Sequence, residues 1–470
     1  MRANLLGGAA VLSLAMIAVP AVAKGKAVDT TAAESQALDL AKRLIAIRSV
    51  AGPDNRTPEA QRVVKDALLA AGWKDGEVEI APVGDTAYLI ATWPGSDPRL
   101  KPLVISGHID VVEAKPADWV RDPFTPVVEN GYLFGRGASD MKFDAAVATA
   151  SLIALRRQGY RPKRTVILQF SGDEETTMKT GRIIAERLKH ADLVINIDGG
   201  GGTFDEATGK PVYWTWQGAE KTYDDYQLEM TNPGGHSSAP RPENAIVQLA
   251  QALERIGAYR FPAEISPLTK AYFEKAAQFE SDPKLAAAMR AFAANPKDEA
   301  ALATLRANPA YVGKVGTTCT PTMIAGGHAQ NALPQRATAN INCRVFPGHT
   351  REEIRLALEK IAATPGLKVT AVSGEDSISS PASPMRPDFM AAVNKALNTA
   401  WPGTPIFPSQ ASGASDSMWY RALGVPSYGA SPSFSKDSDD YAHGLNERVS
   451  LRNIGPGIAY YLSLFTDLSK

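Results

Sequence analysis

The sequence predicts an α/β fold built on a mostly parallel sheet and interrupted by an inserted α+β domain. Three observations carry this expectation. Apolar runs of strand length alternate with segments of helical periodicity from about residue 33 to residue 200. Near Trp214 the pattern changes to period-two alternation, as in "YDDYQLEMT", followed by a long helical stretch rich in Ala and Lys. After Thr350 the alternation of helix and strand resumes and continues to the end of the chain.

The elements follow in order. Ala33 to Ile47 and Pro58 to Ala71 have helical spacing, and "TAYLIATW" and "KPLVISGHIDVV" are strands. "PVVENGYLFG" places Asn130-Gly131 between two strand-like runs, the signature of a hairpin with a type I′ turn. Asp140 to Arg157 predicts a helix, Thr165 to Ser171 a strand, Gly181 to Leu188 a helix and Leu193 to Ile197 a strand. In the middle region Asn244 to Tyr259 is a helix, Pro267 to Asn308 is helical, and two strands end at "ATANINCRVFPG". Thr350 and Glu353 form a capping box that opens a helix from Arg351 to Ala362. "LKVTAV" is a strand, Pro387 to Ala400 a helix, Pro402 to Ser438 mostly loop, and Asn453 to Leu468 the last helix.

Bulk properties exclude some functions. The chain has 470 residues, a formal net charge of zero, 21% charged and 44% hydrophobic residues. This length suits two or three domains. A nucleic-acid binder would show a basic surplus, which is absent. The opening "MRANLLGGAAVLSLAMIAVPAVA" has Arg2, an apolar core up to Val19 and then Ala21-Val22-Ala23, the pattern of a secretory signal cut before Lys24. Its clean apolar run is shorter than the ~20 residues of a spanning helix, and no Cys lies near the cut to carry a lipid. The expectation is a soluble exported protein, periplasmic or secreted, with no stable membrane anchor. Of the two cysteines, Cys343 shares a strand face with Ile341 and Val345, which suits a buried thiol. An oxidising compartment equally permits a disulfide with Cys319, and both readings stand.

Chemistry-bearing residues sit at strand ends. "ISGHIDVV" closes an apolar strand with His108 and Asp110. "GRGASDMK" places Asp140 at a Gly-rich turn before a helix, "SGDEE" places Glu174 and Glu175 after a fully apolar strand, and "NIDGG" places Asp198 after another. In an open α/β sheet the carboxyl ends of parallel strands gather on one edge, where ligands bind. Buried like charges repel, and one or two divalent cations would neutralise them. With two cysteines in the chain, the ligands would be oxygen and imidazole, a set that suits zinc.

Together "GHIDVV", "GRGASDMK", "DEE" and "GGHSSAP" resemble the M20 family of co-catalytic zinc metallopeptidases, over nearly the whole chain after the signal. That family includes glutamate carboxypeptidases, acetylornithine and succinyl-diaminopimelate deacylases, aminoacylases and dipeptidases. The resemblance implies two Zn2+ ions, with Co2+ or Mn2+ as substitutes, and assigns roles. Asp140 would bridge both metals, His108 and Asp198 would complete one site, and Glu175 and His443 of "YAHGLNERV" the other. Glu174 would be the general base, with Asp110 fixing the tautomer of His108. His236 would donate to the oxyanion. Asn331 and Arg344 would hold the substrate carboxylate, and Gly413 of "SGASDS" would lie in a loop that lines the substrate pocket. The implied domains are a signal peptide at 1–23, a catalytic domain at 24–214 and 347–470, and an inserted lid or dimerisation domain at 215–346. In dimeric relatives the inserted-domain histidine reaches the partner's site; in monomeric ones an enlarged insert serves, and both remain open.

Each residue also has a structural reading. Asp140 would otherwise be a helix N-cap, Glu174 and Glu175 a solvated acidic turn, Asp198 a turn residue, His236 part of a glycine turn and Arg344 an exposed strand residue. Asp173 is assigned to a surface or supporting role, Lys142 and Arg136 to helix start and turn, and His190, His328 and His349 to the surface or the scaffold. Three functions follow: a carboxypeptidase or dipeptidase acting on a small peptide, an N-acyl amino acid deacylase on the same site, or a non-catalytic binding protein on this fold. The last would lose Glu174 or a metal ligand first, and all six positions are present.

Overall fold

A computed structural model describes residues 30–374, 377–439 and 441–470. The signal segment expected at 1–23 lies outside the described residues. The large sheet has ten strands. Eight lie in the order 78–83, 86–93, 166–171, 103–108, 193–196, 427–429, 211–220 and 201–204; strand 434–435 follows, and strand 406–411 pairs beside 211–220. Its centre is parallel: 103–108 runs with 166–171 and 193–196, and 193–196 with 427–429. The outer strands 78–83 and 86–93 are antiparallel, so the sheet is mixed around a parallel core.

Side-chain alternation explains the continuous apolar runs. Leu103, Ile105, Leu168, Phe170, Leu193 and Ile195 enter one core with the helices Thr31–Ile45, Thr57–Ala70, Lys142–Arg157, Pro387–Ala400 and Ile454–Leu468. Val104, Ile167 and Val194 point to the opposite face, onto the helices Lys179–Arg187 and Ser417–Ala422. A strand covered on both faces has no polar side to show. The hairpin at Asn130-Gly131 forms as expected, with φ of 51° and 80° at the two turn residues.

The smaller sheet is antiparallel, in the order 318–326, 336–345, 222–231 and 368–371. Tyr226, Leu228 and Ile341 bury against Leu249 of the helix Ala245–Ala258 and Leu358 of the helix Arg351–Ala362. The segment through residue 371 therefore packs with this sheet, and a boundary at 346 is too early. Thr350 caps the helix as expected, accepting from the Glu353 N–H at 3.2 Å, but its apolar face finds the small core. Helices Pro267–Ala276, Pro283–Ala294 and Glu299–Arg306 pack around Phe407 of the large sheet.

Two local expectations change. Residues 402–438, expected as mostly loop, also hold the strand Ile406–Ala411, the helix Ser417–Ala422 and the strand Ser427–Gly429. Their serines are buried in mutual hydrogen bonds, Ser427 Oγ donating to Ser417 Oγ at 2.8 Å and Asn196 Nδ2 to the same oxygen at 3.0 Å. Tertiary pairing thus overrides a loop-like composition. Cys319 and Cys343, directly opposite across neighbouring strands, form a disulfide, so Cys343 is not a free thiol. Among the described residues, no helix is long and apolar enough to cross a membrane.

Candidate metal centre

The parallel strands 103–108, 166–171 and 193–196 end on one edge, and each delivers a ligand type there. His108 is the last residue of its strand and is buried. Its Nε2 lies 3.0 Å from Asp140 Oδ1 and 3.7 Å from Asp198 Oδ2. On the other side of Asp140, His443 Nε2 lies 3.2 Å from Oδ2 and 2.9 Å from Glu175 Oε2. Asp140 is therefore flanked by two imidazoles, one paired with Asp198 and the other with Glu175. Ligand atoms of His108, Glu174 and Asp198 all lie within 4.8 Å of one another, and so do those of His108, Asp140 and Glu175.

The electrostatics of this cluster call for positive charge. Burial pushes the Glu174 and Asp198 carboxyls above the usual carboxylate range; neighbouring acids add to the shift and His108 opposes it. Burial disfavours the charged form of His108, but Asp198, Asp110 and Asp140 outweigh it and raise its pKa. Hydrogen bonds to Asp140 and Glu175 raise His443 to about 10. Six oxygen and imidazole groups gathered here, the Glu174 and Asp198 carboxyls among them held back from ionising, fit a pair of divalent cations.

Surrounding groups position the ligands. Asp110 was expected to hold the far nitrogen of His108 with its carboxylate. Its backbone oxygen lies nearest instead, 3.0 Å from Nδ1, with Oδ1 at 3.6 Å. The carboxylate accepts the N–H groups of Glu174 and Glu175 at 3.1 and 3.0 Å, fixing the turn that presents both acids. Asp173 is buried, not a surface acid, and accepts from the Lys179 and Thr180 N–H groups at the start of the next helix. Lys142 is buried and donates to Ile47 O at 2.8 Å, and Arg136 pairs with Glu447 at 2.7 Å.

The four residues expected to touch substrate lie outside the ligand cluster itself. His236 is exposed and sits beside Asn331, whose backbone oxygen accepts from Ser237 N–H at 3.0 Å. The His236 Nδ1 accepts from Ser238 N–H at 3.2 Å, which places the ring proton on Nε2. Arg344 is not freely exposed: its guanidinium covers the Tyr223 ring at 4.7 Å. Gly413 is exposed in the loop after strand 406–411. Among the described residues, no hydrogen bond or ion pair joins these four to the metal cluster.

Two site residues escaped the sequence reading. Glu447, fully buried, accepts from the N–H groups of Gly137, Ser139 and Asp140 at 3.1, 2.7 and 2.9 Å, pinning the turn that carries Asp140. Asp416, buried behind the acids, accepts from Ser171 Oγ at 2.5 Å. Its carboxylate lies against Gly181, where a Cβ would come within 1.8 Å of Oδ1, so that glycine is required for the approach. Neither has a local sequence signal beyond its closeness to His443 or Gly413.

Comparison with known proteins places this architecture. The N-fatty-acyl-amino acid synthase/hydrolase PM20D1 of Xenopus tropicalis is 27% identical over 386 residues, covering 79% of this chain and 73% of that relative. The M20 family metallo-carboxypeptidase Sso-CP2 of Sulfolobus solfataricus superposes with a TM-score of 0.70 at 19% identity, covering 92% of this chain and 98% of that one. The YXEP protein of Bacillus subtilis, a dinuclear metal-binding peptidase of the M20 family, does so with 0.57 at 14% identity, covering 93% and 99%. The model of peptidase family M20/M25/M40 matches residues 104–467, which spans every ligand in the cluster, and the chain is a hydrolase belonging to that family.

Proposed function

We propose that this hydrolase is an exported amidohydrolase, dependent on two zinc ions, that cleaves an amide bond of a small peptide as a carboxypeptidase or dipeptidase. The observation that carries the reading is the symmetry about Asp140, with His108 and Asp198 on one side and His443 and Glu175 on the other. His108, Asp140 and Asp198 would hold one ion, and Asp140, Glu175 and His443 the second, with Co2+ or Mn2+ as substitutes. When bound, such a pair supplies Lewis acidity toward the scissile carbonyl and brings the pKa of water toward neutrality.

The chain's own groups do the rest. Glu174 accepts a proton from water as the water oxygen bonds to the carbonyl carbon, and passes it to the nitrogen as the C–N bond breaks, leaving one acid and one amine. A carboxyl raised by burial is a base suited to neutral pH. The Asp110 carboxylate holds the Glu174 backbone so that its side chain faces the reaction. His236 Nε2–H donates to the developing oxyanion. Closure of the small sheet over its own site, or docking of a second copy through the inserted domain, brings it there. Asn331 and Arg344 receive the carboxylate of the leaving half, for which a guanidinium is well suited, and Gly413 lies in a loop that lines the substrate pocket. The disulfide supports an oxidising destination and hence export.

Deacylation of N-acyl amino acids is the second reading, favoured by the likeness to a relative named for that activity. Both are tested together. Glu174→Gln should bind zinc like the wild type while hydrolysis of dipeptides and N-acyl amino acids falls by about 10³-fold. Chelation should silence the wild type, and zinc or cobalt should restore it. A variant retaining a tenth of the rate removes Glu174 from the role of base.

A further inference from the structure

A cavity of about 620 Å³ opens beside Asp198. None of His236, Asn331, Arg344 or Gly413 lines it. It is thus separate from the groups proposed for the oxyanion and the leaving half, and Asp198 of the metal cluster forms part of its wall, which leaves it to the acyl half. The charges on its wall are unequally satisfied. Asp439 is paired with Arg448. Asp144 accepts hydroxyl hydrogen bonds from Ser431 and Ser433, both at 2.6 Å. Arg452 donates to a backbone oxygen, Gly209 O, at 3.0 Å. Lys314 is the informative group: its Nζ donates to Gln410 O at 3.1 Å and lies 4.7 Å from the centre of the Tyr272 ring. Among the described residues, no carboxylate makes an ion pair with it. A half-buried ammonium without a counter-ion carries a desolvation cost, and an anion delivered to the cavity would relieve it.

We propose that this cavity receives an acyl half bearing a carboxylate, of the succinyl, glutaryl or acidic aminoacyl kind, with Lys314 as its counter-charge. The inference rests on the amidohydrolase reading above and names the substrate class for that site. It separates this chain from its relative named for N-fatty-acyl substrates, because a long alkyl chain would leave Lys314 unpaired. Burial already lowers Lys314 to about 8, and a bound carboxylate would restore its charge.

The test uses the mature, zinc-loaded protein and two substrates with equal acyl chain length, N-succinyl- and N-butyryl-L-leucine, with the dipeptides Glu-Leu and Gln-Leu as a second pair. The acidic member of each pair should be preferred in kcat/KM by about tenfold or more. Free succinate should inhibit at lower concentration than butyrate. Lys314→Met should bring both ratios to within twofold of unity, and Lys314→Arg should retain most of the preference. Equal rates for the wild type, or a preference unchanged in Lys314→Met, overturn the proposal. If Lys314→Met does not fold, the wild-type ratios and the succinate inhibition decide the matter. Hydrolysis of neutral substrates without acidic preference overturns this inference alone, whereas no hydrolysis of any amide overturns the amidohydrolase reading and this inference with it.

Discussion

Glu447→Gln isolates the support beneath Asp140. The Glu447 carboxylate accepts three backbone N–H groups and the Arg136 guanidinium, the latter at 2.7 Å, with side-chain exposures of 0% and 3%. Glutamine keeps one acceptor oxygen but replaces the other with an NH2 that faces donors, and it leaves the Arg136 charge uncompensated. Breaking a buried pair in this way costs about 3–5 kcal/mol. Because one acceptor survives, about 3 kcal/mol is expected. The turn carrying Asp140 also loosens, so affinity for the metal should fall about 10–100-fold, as for other groups that orient ligands. Urea unfolding followed by tryptophan fluorescence measures the first effect, and competition with a chromophoric chelator measures the second. Replacing both partners with apolar residues, Arg136→Met with Glu447→Leu, should recover much of the stability but not the metal affinity. A stability loss under about 1 kcal/mol with unchanged affinity would refute the reasoning, because the carboxylate would then be neither holding the turn nor balancing Arg136.

Three further outcomes are expected. His236→Ala should lower kcat by about 10²–10³-fold without altering the unfolding midpoint, since the imidazole is exposed; a change confined to KM would remove it from the oxyanion. Lys221 is buried, with Nζ donating to Gly316 O at 2.8 Å, and burial lowers its pKa to about 7. The unfolded chain then holds a proton that the native state lacks between pH 7 and about 10.4, so this group makes unfolding free energy rise with pH across that window, by about 1.4 kcal/mol per unit at most. Lys221→Met should flatten that rise relative to the wild type, and identical slopes would show that the side chain titrates normally. Finally, Cys319 and Cys343 are separated by 24 residues, and opening a loop of that size costs about 3 kcal/mol in chain entropy; an unfolding midpoint insensitive to reductant would contradict this.

What the sequence determined by itself was local and periodic. The apolar runs ending in His108, before Glu174 and before Asp198 mark strands, because a strand covered on both faces must be apolar throughout. Parallel strands gather their carboxyl ends on one edge, so the meeting of these residues with Asp140 was legible before any coordinates. The hairpin at Asn130-Gly131 and the cap at Thr350 were legible for the same reason, since a turn or a cap is chosen within a few residues. Tertiary structure alone decided the remainder. Glu447 reaches the Asp140 backbone from 307 positions away, and Asp416 reaches Ser171 from 245, so no period or spacing records either contact. The helix from Arg351 joined the small sheet because its apolar face found Tyr226 and Leu228, and an amphipathic helix carries no address for the core it will cover. Parts of the serine-rich stretch after Pro402 became strand and helix where hydroxyls found partners across the fold. Propensity is set by neighbours along the chain, whereas burial and pairing are set by neighbours in space.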